Sequence, residues 1–283
     1  MRRLSEDLLV TACGAVTSLL TAGLLYGIEE FFGVSVYTWT FWFVIPAGAL
    51  FAGFAAATGY WGGARLLNHR PSSLLLLNMV GVSISTFFLV HYLSYYNLTI
   101  EGVPVRSALP FTTYLDTVLT HASMSFHLRT AKLGSTGELG VLGYGYALLQ
   151  IAGFAVGGFC VYAWLQAQPF CQRCERYFTR VSRAHRFTDD PNAVQGLAEQ
   201  TFPLIEAELF SEAIAAWSQF GAKDAKAGRH LRTEVSIYRC KACTEHFLRF
   251  AVAKRKGDNW DDIPQLTVQG RTSAAIVTQS AAA

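Results

Sequence analysis

Four long apolar stretches dominate the first part of the chain. Asp, Glu, Lys and Arg are absent from residues 31–64, 71–100 and 139–172, and another apolar run begins at Leu8. About 20 apolar residues in a helix cross the hydrocarbon core of a bilayer, so each stretch is long enough to span it. We predict a four-helix transmembrane domain over residues 1–166, with spans at 8–28, 39–61, 73–97 and 139–165.

The loop between the third and fourth spans is too long for a simple turn. Pro110 suits the first turn of a helix, and apolar residues recur at helical spacing after it. We expect an amphipathic helix at about 110–128, which lies along the outer membrane surface or caps the helix bundle.

The pattern changes after residue 166, where charged residues become frequent. Only 15% of the whole chain is charged, against about 25% in an ordinary soluble domain. We therefore predict a soluble module over residues 167–256, with a helical insertion at about 190–221, strands near 232–239 and 247–253, and a disordered tail at 257–283. The predicted fold class is an α-helical polytopic membrane protein with a C-terminal α+β module.

The distribution of basic residues predicts the orientation in the membrane. Arg2 and Arg3 precede the first span, the second loop carries Arg65 and Arg70, and the loop at 29–38 carries no Lys or Arg. Sixteen of the 23 basic residues follow residue 166. The positive-inside rule then places both termini in the cytoplasm, and we expect a bacterial inner membrane protein.

Small residues at helical spacing predict close packing between the spans. Backbones of membrane helices approach each other where glycine or alanine leaves room. The pattern is open to two interpretations, packing within one chain or contact between copies in a homo-oligomer. The residues concerned are Gly48, Gly53, Ala57, Gly81, Gly153 and Gly157.

Among the polar residues inside the predicted spans, we single out Asn78, His91 and Gln150. We interpret them as interhelical hydrogen-bonding residues, with a role in a transport pathway as the alternative. Of the residue types Asp, Glu, Lys, Arg and His, the spans contain only His91. Ion-coupled carriers use buried charged residues, so this composition disfavours such a carrier.

Two C-x2-C pairs carry the strongest chemical signal in the chain. The cysteines are Cys171, Cys174, Cys240 and Cys243. Disulfides are rare in the cytoplasm, so clustered thiols there favour a metal site, and four thiolates suit tetrahedral Zn²⁺. A closed four-cysteine shell leaves no position for a reactive water, so we expect one structural zinc per chain.

Residues 171–256 resemble the zinc-ribbon class, in which two cysteine knuckles frame a β-element. The resemblance implies that both pairs bind one ion. The 65 residues between the pairs exceed the usual spacing, and the predicted helical insertion would account for the excess. A redox dithiol, an iron–sulfur cluster and unligated thiols are the alternatives.

A series of arginines follows the first cysteine pair: Arg173, Arg176, Arg180, Arg183 and Arg186. We expect this basic patch to contact anionic lipid headgroups. A solvated surface and nucleic acid are the alternatives. Residues 167–283 include 16 basic and 13 acidic residues, a net charge of +3 that disfavours nucleic acid as a partner.

These features leave three functional hypotheses. The first is a membrane-anchored interaction or regulatory protein, whose zinc-stabilised cytoplasmic module binds an unidentified protein partner or the anionic membrane surface. The second is an oligomeric channel gated by the module, and the third is a membrane enzyme or a carrier for a lipid or small molecule. Motifs of the common nucleotide-binding and hydrolytic enzymes are absent from the sequence, so we favour the first and a non-enzymatic role.

Overall fold

The computed structural model describes residues 2–40, 45–128, 131–223 and 229–272. The chain divides into two compact units, Met1–Ala167 and Gln168–Ala283. This boundary lies within one residue of the predicted end of the membrane domain.

The first unit is mainly helical. Helix α1 (Arg2–Phe32) is followed by a short 3-10 helix, Val36–Thr38. The remaining helices are α2 (Ala47–Leu66), α3 (Ser73–Asn97), α4 (Val105–Ala108), α5 (Phe111–Thr120) and α6 (Leu142–Gln166). Within the described part of the chain, three helices are long and apolar enough to cross a membrane, namely Ser5–Phe32, Ser73–Asn97 and Leu142–Gln166. They indicate an integral membrane protein.

The second predicted span differs from its expected position. Helix α2 begins at Ala47 instead of residue 39, and residues 41–44 lie outside the described part of the chain. Pro46 occupies the position just before the helix, where its missing N–H costs no helical hydrogen bond. Glycines and polar aromatic residues such as Tyr60 lower the mean hydropathy of α2, so the fourth span stays a prediction.

Close contacts between helices, mainly those of α2 with α6, explain why most of the predicted packing positions carry small residues. A Cβ atom on Gly53 would overlap the backbone of Phe154 in α6, and one on Gly157 would overlap the backbone of Leu50 in α2. A Cβ atom on Gly48 would overlap the carbonyl of Val36, and one on Gly153 would approach the side chain of Ala49. Ala57 is fully buried.

For Gly81, the prediction that a small residue packs closely against another helix of the same chain is wrong. This residue is exposed, and no described atom lies within 4 Å of a Cβ built on it. Its helix, α3, turns this side away from the other helices, so nothing there requires glycine.

The predicted outer helix is shorter than expected. Helix α5 ends at Thr120, and the second part of the predicted segment 110–128 forms strand β3 (Ser123–Leu128). This strand pairs with β4 (Ala131–Glu138) in an antiparallel hairpin. Alternating Ser and larger residues suit a strand better than a helix here. A short hairpin follows α3, and its strands β1 (Thr99–Ile100) and β2 (Val103–Pro104) have two residues each.

The second unit is built on a four-stranded antiparallel sheet. Its strands are β7 (Thr179–Thr188), β8 (Leu231–Arg239), β9 (His246–Lys256) and β10 (Asn259–Thr272), in the spatial order β10-β9-β8-β7. Before them, β5 (Phe170–Cys171) pairs with β6 (Arg176–Tyr177). Helices α7 (Pro191–Glu206) and α8 (Phe210–Ser218) form the predicted insertion between β7 and β8.

Both inserted helices pack on one face of the sheet. Phe210 and Trp217 of α8 meet Val235 of β8 and Phe250 of β9 in the apolar core of this unit. The Trp217 indole N–H donates a hydrogen bond to the Thr233 hydroxyl, 2.9 Å away, which satisfies its buried donor. This face is called the helix face below.

The prediction of a disordered tail at 257–283 is wrong for most of its length. Residues 259–272 form β10, which pairs with β9 over both of its ends, and residues 273–283 lie outside the described part of the chain. Gly257, with a φ of +63°, makes the tight turn between the strands. Hydrogen bonding to β9 orders a segment whose polar composition gives little hydrophobic signal of its own.

Candidate metal centre

The four cysteines come from two hairpins. Cys171 and Cys174 belong to the β5–β6 hairpin, whose turn places Glu175 in the left-handed region with a φ of +48°. Cys240 and Cys243 lie in the turn that joins β8 to β9, and the Cys240 N–H donates to the Glu245 carbonyl at 3.0 Å. Each pair is thus a tight knuckle, as the spacing predicted.

The two knuckles meet at one point. All four Sγ atoms lie within 4.8 Å of one another, and those of Cys171 and Cys243 are 3.8 Å apart. A regular tetrahedron with Zn–S bonds of about 2.3 Å has S–S edges of about 3.8 Å. The four cysteines are free thiols, two of them buried and two partly exposed. This donor set can hold a tetrahedral metal ion.

The long gap between the pairs is closed by strand pairing. Strand β7 follows the first knuckle and β8 precedes the second, and these strands pair antiparallel from Thr179–Arg239 to Thr188–Leu231. The helical insertion therefore leaves the sheet at Thr188 and returns to it at Leu231, at the far end from the cysteines. Its length adds nothing to the distance between the knuckles.

The thiols differ in their ease of ionisation. Burial, together with the Glu245 carboxylate that accepts a 2.9 Å hydrogen bond from the Cys171 thiol, raises the pKa of Cys171. Burial also opposes ionisation of Cys240, but the backbone N–H groups of Ala242 and Cys243 stabilise its thiolate and lower its pKa to about 7. A bound dication would favour the thiolate at every position.

Aromatic side chains enclose the cysteine cluster. Phe178 and Phe247 pack against it, with ring centroids 6.0 Å apart, and Tyr238 lies 5.6 Å from Phe247. These contacts fasten the cysteine cluster to one end of the sheet. They also limit the access of water to the sulfurs.

The five predicted patch arginines do not form one surface. Arg173 lies in the first knuckle and Arg176 in β6, both exposed. Arg180, Arg183 and Arg186 belong to β7, where successive side chains point to opposite faces of the sheet. Arg186 lies over the ring of Trp217 on the helix face, with its guanidinium carbon 5.5 Å from the ring centre. Arg183 lies on the other face.

Sequence reasoning missed Glu234, which organises that other face. The Arg183 guanidinium donates two hydrogen bonds of 2.8 Å to its carboxylate, and the Ser236 hydroxyl donates another at 3.0 Å. Arg232 and His185 approach the same carboxylate at 3.7 and 3.6 Å. Period-two alternation along 232–237, where Arg232, Glu234 and Ser236 alternate with less polar residues, is the signal that could have revealed this network.

The network fixes the charge state of its carboxylate. Burial alone would raise the pKa of Glu234, but the hydrogen bonds from Arg183 and Ser236 outweigh it and lower the pKa below its ordinary value. Burial lowers the pKa of His185. At neutral pH the cluster therefore holds an ionised glutamate among arginines and a neutral imidazole.

The three intramembrane polar residues do not gather at one site. The Asn78 side-chain amide donates to the Thr11 hydroxyl of α1 at 3.2 Å, as expected of an interhelical bond. His91 is buried between the rings of Tyr37 and Phe87, and Gln150 is buried in α6.

A groove of about 490 Å³ lies between α1 and α3. Its lining includes Ser18, Ser85, Phe88, Tyr92 and Phe111, and none of the three intramembrane polar residues. No ionisable Asp, Glu, Lys, Arg or His belongs to its lining among the described residues. The groove therefore presents a mainly apolar surface with few side chains that could act as an acid, a base or a metal ligand.

Comparison with known proteins gives no relative for this chain. No protein family model matches the sequence, and comparison with curated proteins and with solved structures found no match.

Proposed function

We propose that the chain is a membrane-anchored interaction protein, in which a zinc-stabilised cytoplasmic module binds a partner. The carrying observation is the convergence of two distant cysteine pairs into one closed four-sulfur set. Such a set stabilises a fold and offers no open coordination position for catalysis. The groove between α1 and α3 adds no support for an enzyme, because its lining among the described residues includes no Asp, Glu, Lys, Arg or His.

The proposed metal is zinc, one ion per chain. Four thiolates in a tetrahedron suit zinc and iron, and the short C-x2-C knuckles on hairpins are typical of structural zinc sites. The ion would fasten the β5–β6 hairpin to the β8–β9 turn, where the Cys171 thiol already donates a hydrogen bond to the Glu245 carboxylate.

Four membrane spans and an inside location of both termini complete the proposal. Helix α2 has 20 residues, about 30 Å of helix, and that length matches the hydrocarbon core. The glycine contacts with α6 support its placement within the same bundle. Basic residues in the N-terminal tail, in the second loop and after residue 166 support a cytoplasmic location for both ends of the chain, in a bacterial inner membrane.

Two further surfaces belong to this proposal. Arg173 and Arg176 are exposed on the first knuckle and suit contact with anionic headgroups. Gly81 and Ser85 are exposed one turn apart on α3, a small-residue pair that suits contact with a second copy. A homo-oligomer formed in this way stays a prediction.

In-cell photo-crosslinking tests the proposed role. A crosslinking amino acid at Val181, which is 58% exposed in the second unit, should give an adduct that disappears with Cys240→Ser, because loss of the metal unfolds the binding surface. The same crosslinker at Leu77, exposed on α3, is the membrane control. The proposal would be contradicted if no exposed position of the module gave a metal-dependent adduct. An ion current through the protein in liposomes would also contradict it and would favour the channel hypothesis.

A further inference from the structure

The face of the sheet opposite α7 and α8 carries an excess of arginine. Residues that pair directly across antiparallel strands lie on the same face. The pairings give four rows here: Arg180–Tyr238–Phe247–Arg271, Arg183–Ser236–Arg249–Gln269, His185–Glu234–Ala251–Thr267 and Phe187–Arg232–Ala253–Asp262. Arg255 pairs with Trp260 beyond the last row. This surface is called the arginine face below.

Positive charge on the arginine face exceeds the charge of its acids. Six arginines lie on it, against two carboxylates, Glu234 and Asp262. Both carboxylates are already engaged, Glu234 with Arg183 and Asp262 with Arg249 at 2.8 Å. The exposed arginines around them are Arg180, Arg255 and Arg271. The local balance on this face therefore favours an anion more than the net charge of +3 over residues 167–283 does.

Aromatic rings lie among these arginines. The rings of Phe187 and Trp260 have centroids 5.6 Å apart, and the Arg232 guanidinium lies 5.1 Å from the Trp260 ring centre. Both rings are partly exposed. The centre of the face carries the small side chains of Ser236, Ala251 and Ala253, so the arginines and rings border a shallow floor.

Two partner classes offer phosphate to such a face, anionic lipid and nucleic acid. A phospholipid headgroup presents a phosphate but no aromatic ring. Each nucleotide of a single strand presents both, a phosphate for a guanidinium and an unstacked base for an aromatic ring. The combination of arginines with Phe187 and Trp260 on one flat sheet face therefore favours single-stranded nucleic acid over lipid.

We propose that the arginine face binds single-stranded nucleic acid without strong sequence preference. Exposed Arg180, Arg255 and Arg271 contact phosphates, and a base stacks on Trp260 beside Phe187. The Arg183–Glu234 pair holds the middle of the face rigid. This inference rests on the proposed cytoplasmic module and names its partner.

Fluorescence anisotropy of the full chain in neutral phosphatidylcholine nanodiscs tests the proposal. The probe is a labelled oligouridylate of about 12 nucleotides, within the range that one binding domain covers. Arg255→Gln should weaken binding and reduce the slope of log Kd against log salt by about 0.7, the value for one phosphate contact on a single strand. Trp260→Ala should weaken binding about tenfold through loss of one stacked base.

Lys254→Gln is the matched control. Lys254 adjoins Arg255 and is exposed, but it pairs with Leu231 and so lies on the helix-face side of the strand. Its removal changes the net charge equally and should leave binding unchanged within about twofold. Equal weakening by Lys254→Gln and Arg255→Gln would show attraction to overall charge only and would overturn the proposal.

Two other outcomes overturn it. One is absence of oligonucleotide binding to wild-type protein that retains its zinc. The other is slowed hydrogen exchange of β7 and β9 in nanodiscs with anionic lipid, without oligonucleotide binding, which would assign the face to lipid. Zinc content is measured on the same protein, and the sidedness of a cysteine label introduced at Thr188 is measured in intact cells. These two measurements separate failure of the nucleic-acid proposal from failure of the proposed function.

Discussion

The Sγ atoms of Cys171 and Cys243 lie 3.8 Å apart although 72 positions separate the residues in the chain. Strand β7 carries the chain away from the first knuckle, and β8 brings it back to the second in an antiparallel pair. The cysteines therefore meet at one end of the sheet, and α7 and α8 connect the strands at the other. A metal at this point closes a loop that contains most of the second unit.

Loss of one metal ligand should unfold that unit. Cys240→Ser removes a fully buried thiol of the proposed zinc site, so purified protein should contain less than about half an equivalent of zinc and lose its cooperative thermal transition for the module. Elemental analysis and differential scanning calorimetry measure both effects. Cys160→Ser, an exposed position in α6, is the control and should retain one zinc. Unchanged stability of Cys240→Ser would show that the cysteines are not a structural site.

Close packing of α2 with α6 makes a second prediction. Gly157→Ala places a methyl group against the backbone of Leu50 and Phe54, so it should destabilise the membrane unit by about 1–3 kcal/mol. Gly145→Ala, in the same helix, meets nothing within 4 Å and should be neutral or slightly stabilising. Thermal denaturation in detergent compares the variants. Equal melting temperatures would show that α2 and α6 do not touch at Gly157.

Local patterns in the sequence account for the parts of the fold that were predicted. Long apolar runs predict α1, α3 and α6 because a membrane helix must satisfy its own backbone, whatever its neighbours are. The C-x2-C spacing predicts each knuckle because a tight turn is a local structure. Neither pattern depends on distant parts of the chain.

Features that depend on pairing partners were missed. The direction in which Gly81 faces is set by how α3 packs, and a small-residue spacing does not contain that information. Strand β10 forms by pairing with the edge of β9. Its polar sequence carries little apolar signal, so the strand could not be predicted from the sequence of β10 alone. The arginines of β7 were counted at intervals of three or four residues, whereas a strand separates Arg183 from Arg186 onto opposite faces.

Accessibility to a membrane-impermeant thiol reagent tests the topology. Cysteine introduced at Thr188, in the second unit, should react only after the membrane is permeabilised. Cysteine introduced at exposed Ser107, in the loop between the third and last spanning helices, should react in intact cells. Mass spectrometry of the labelled peptides distinguishes these sites from the native cysteines. The reverse pattern would place both termini outside.

The Glu234 network predicts a specific dependence of stability on pH. The pKa of Glu234 is lower in the folded protein than its ordinary value of 4.5, so the ionised form is the one that folding favours. The stabilisation is therefore fully present above about pH 4.5 and is lost as the pH falls through the lowered value. Glu234→Gln removes the carboxylate charge and leaves Arg183 and Arg232 without their counter-ion, at a cost of about 1–3 kcal/mol for a partly exposed cluster.

Thermal denaturation of wild type and Glu234→Gln across pH 4.5 isolates this effect from the metal site. Protonation of the cysteines affects both proteins equally, so the difference between their melting temperatures reports on Glu234 and on His185, which contacts its carboxylate. That difference should be constant near neutral pH and shrink as the pH falls below about 4.5. Asp262→Asn, which removes an exposed partner of Arg249, is the control and should change stability by less than about 1 kcal/mol. A difference for Glu234→Gln that grows on acidification would mean that the carboxylate opposes folding, contrary to the contacts that surround it.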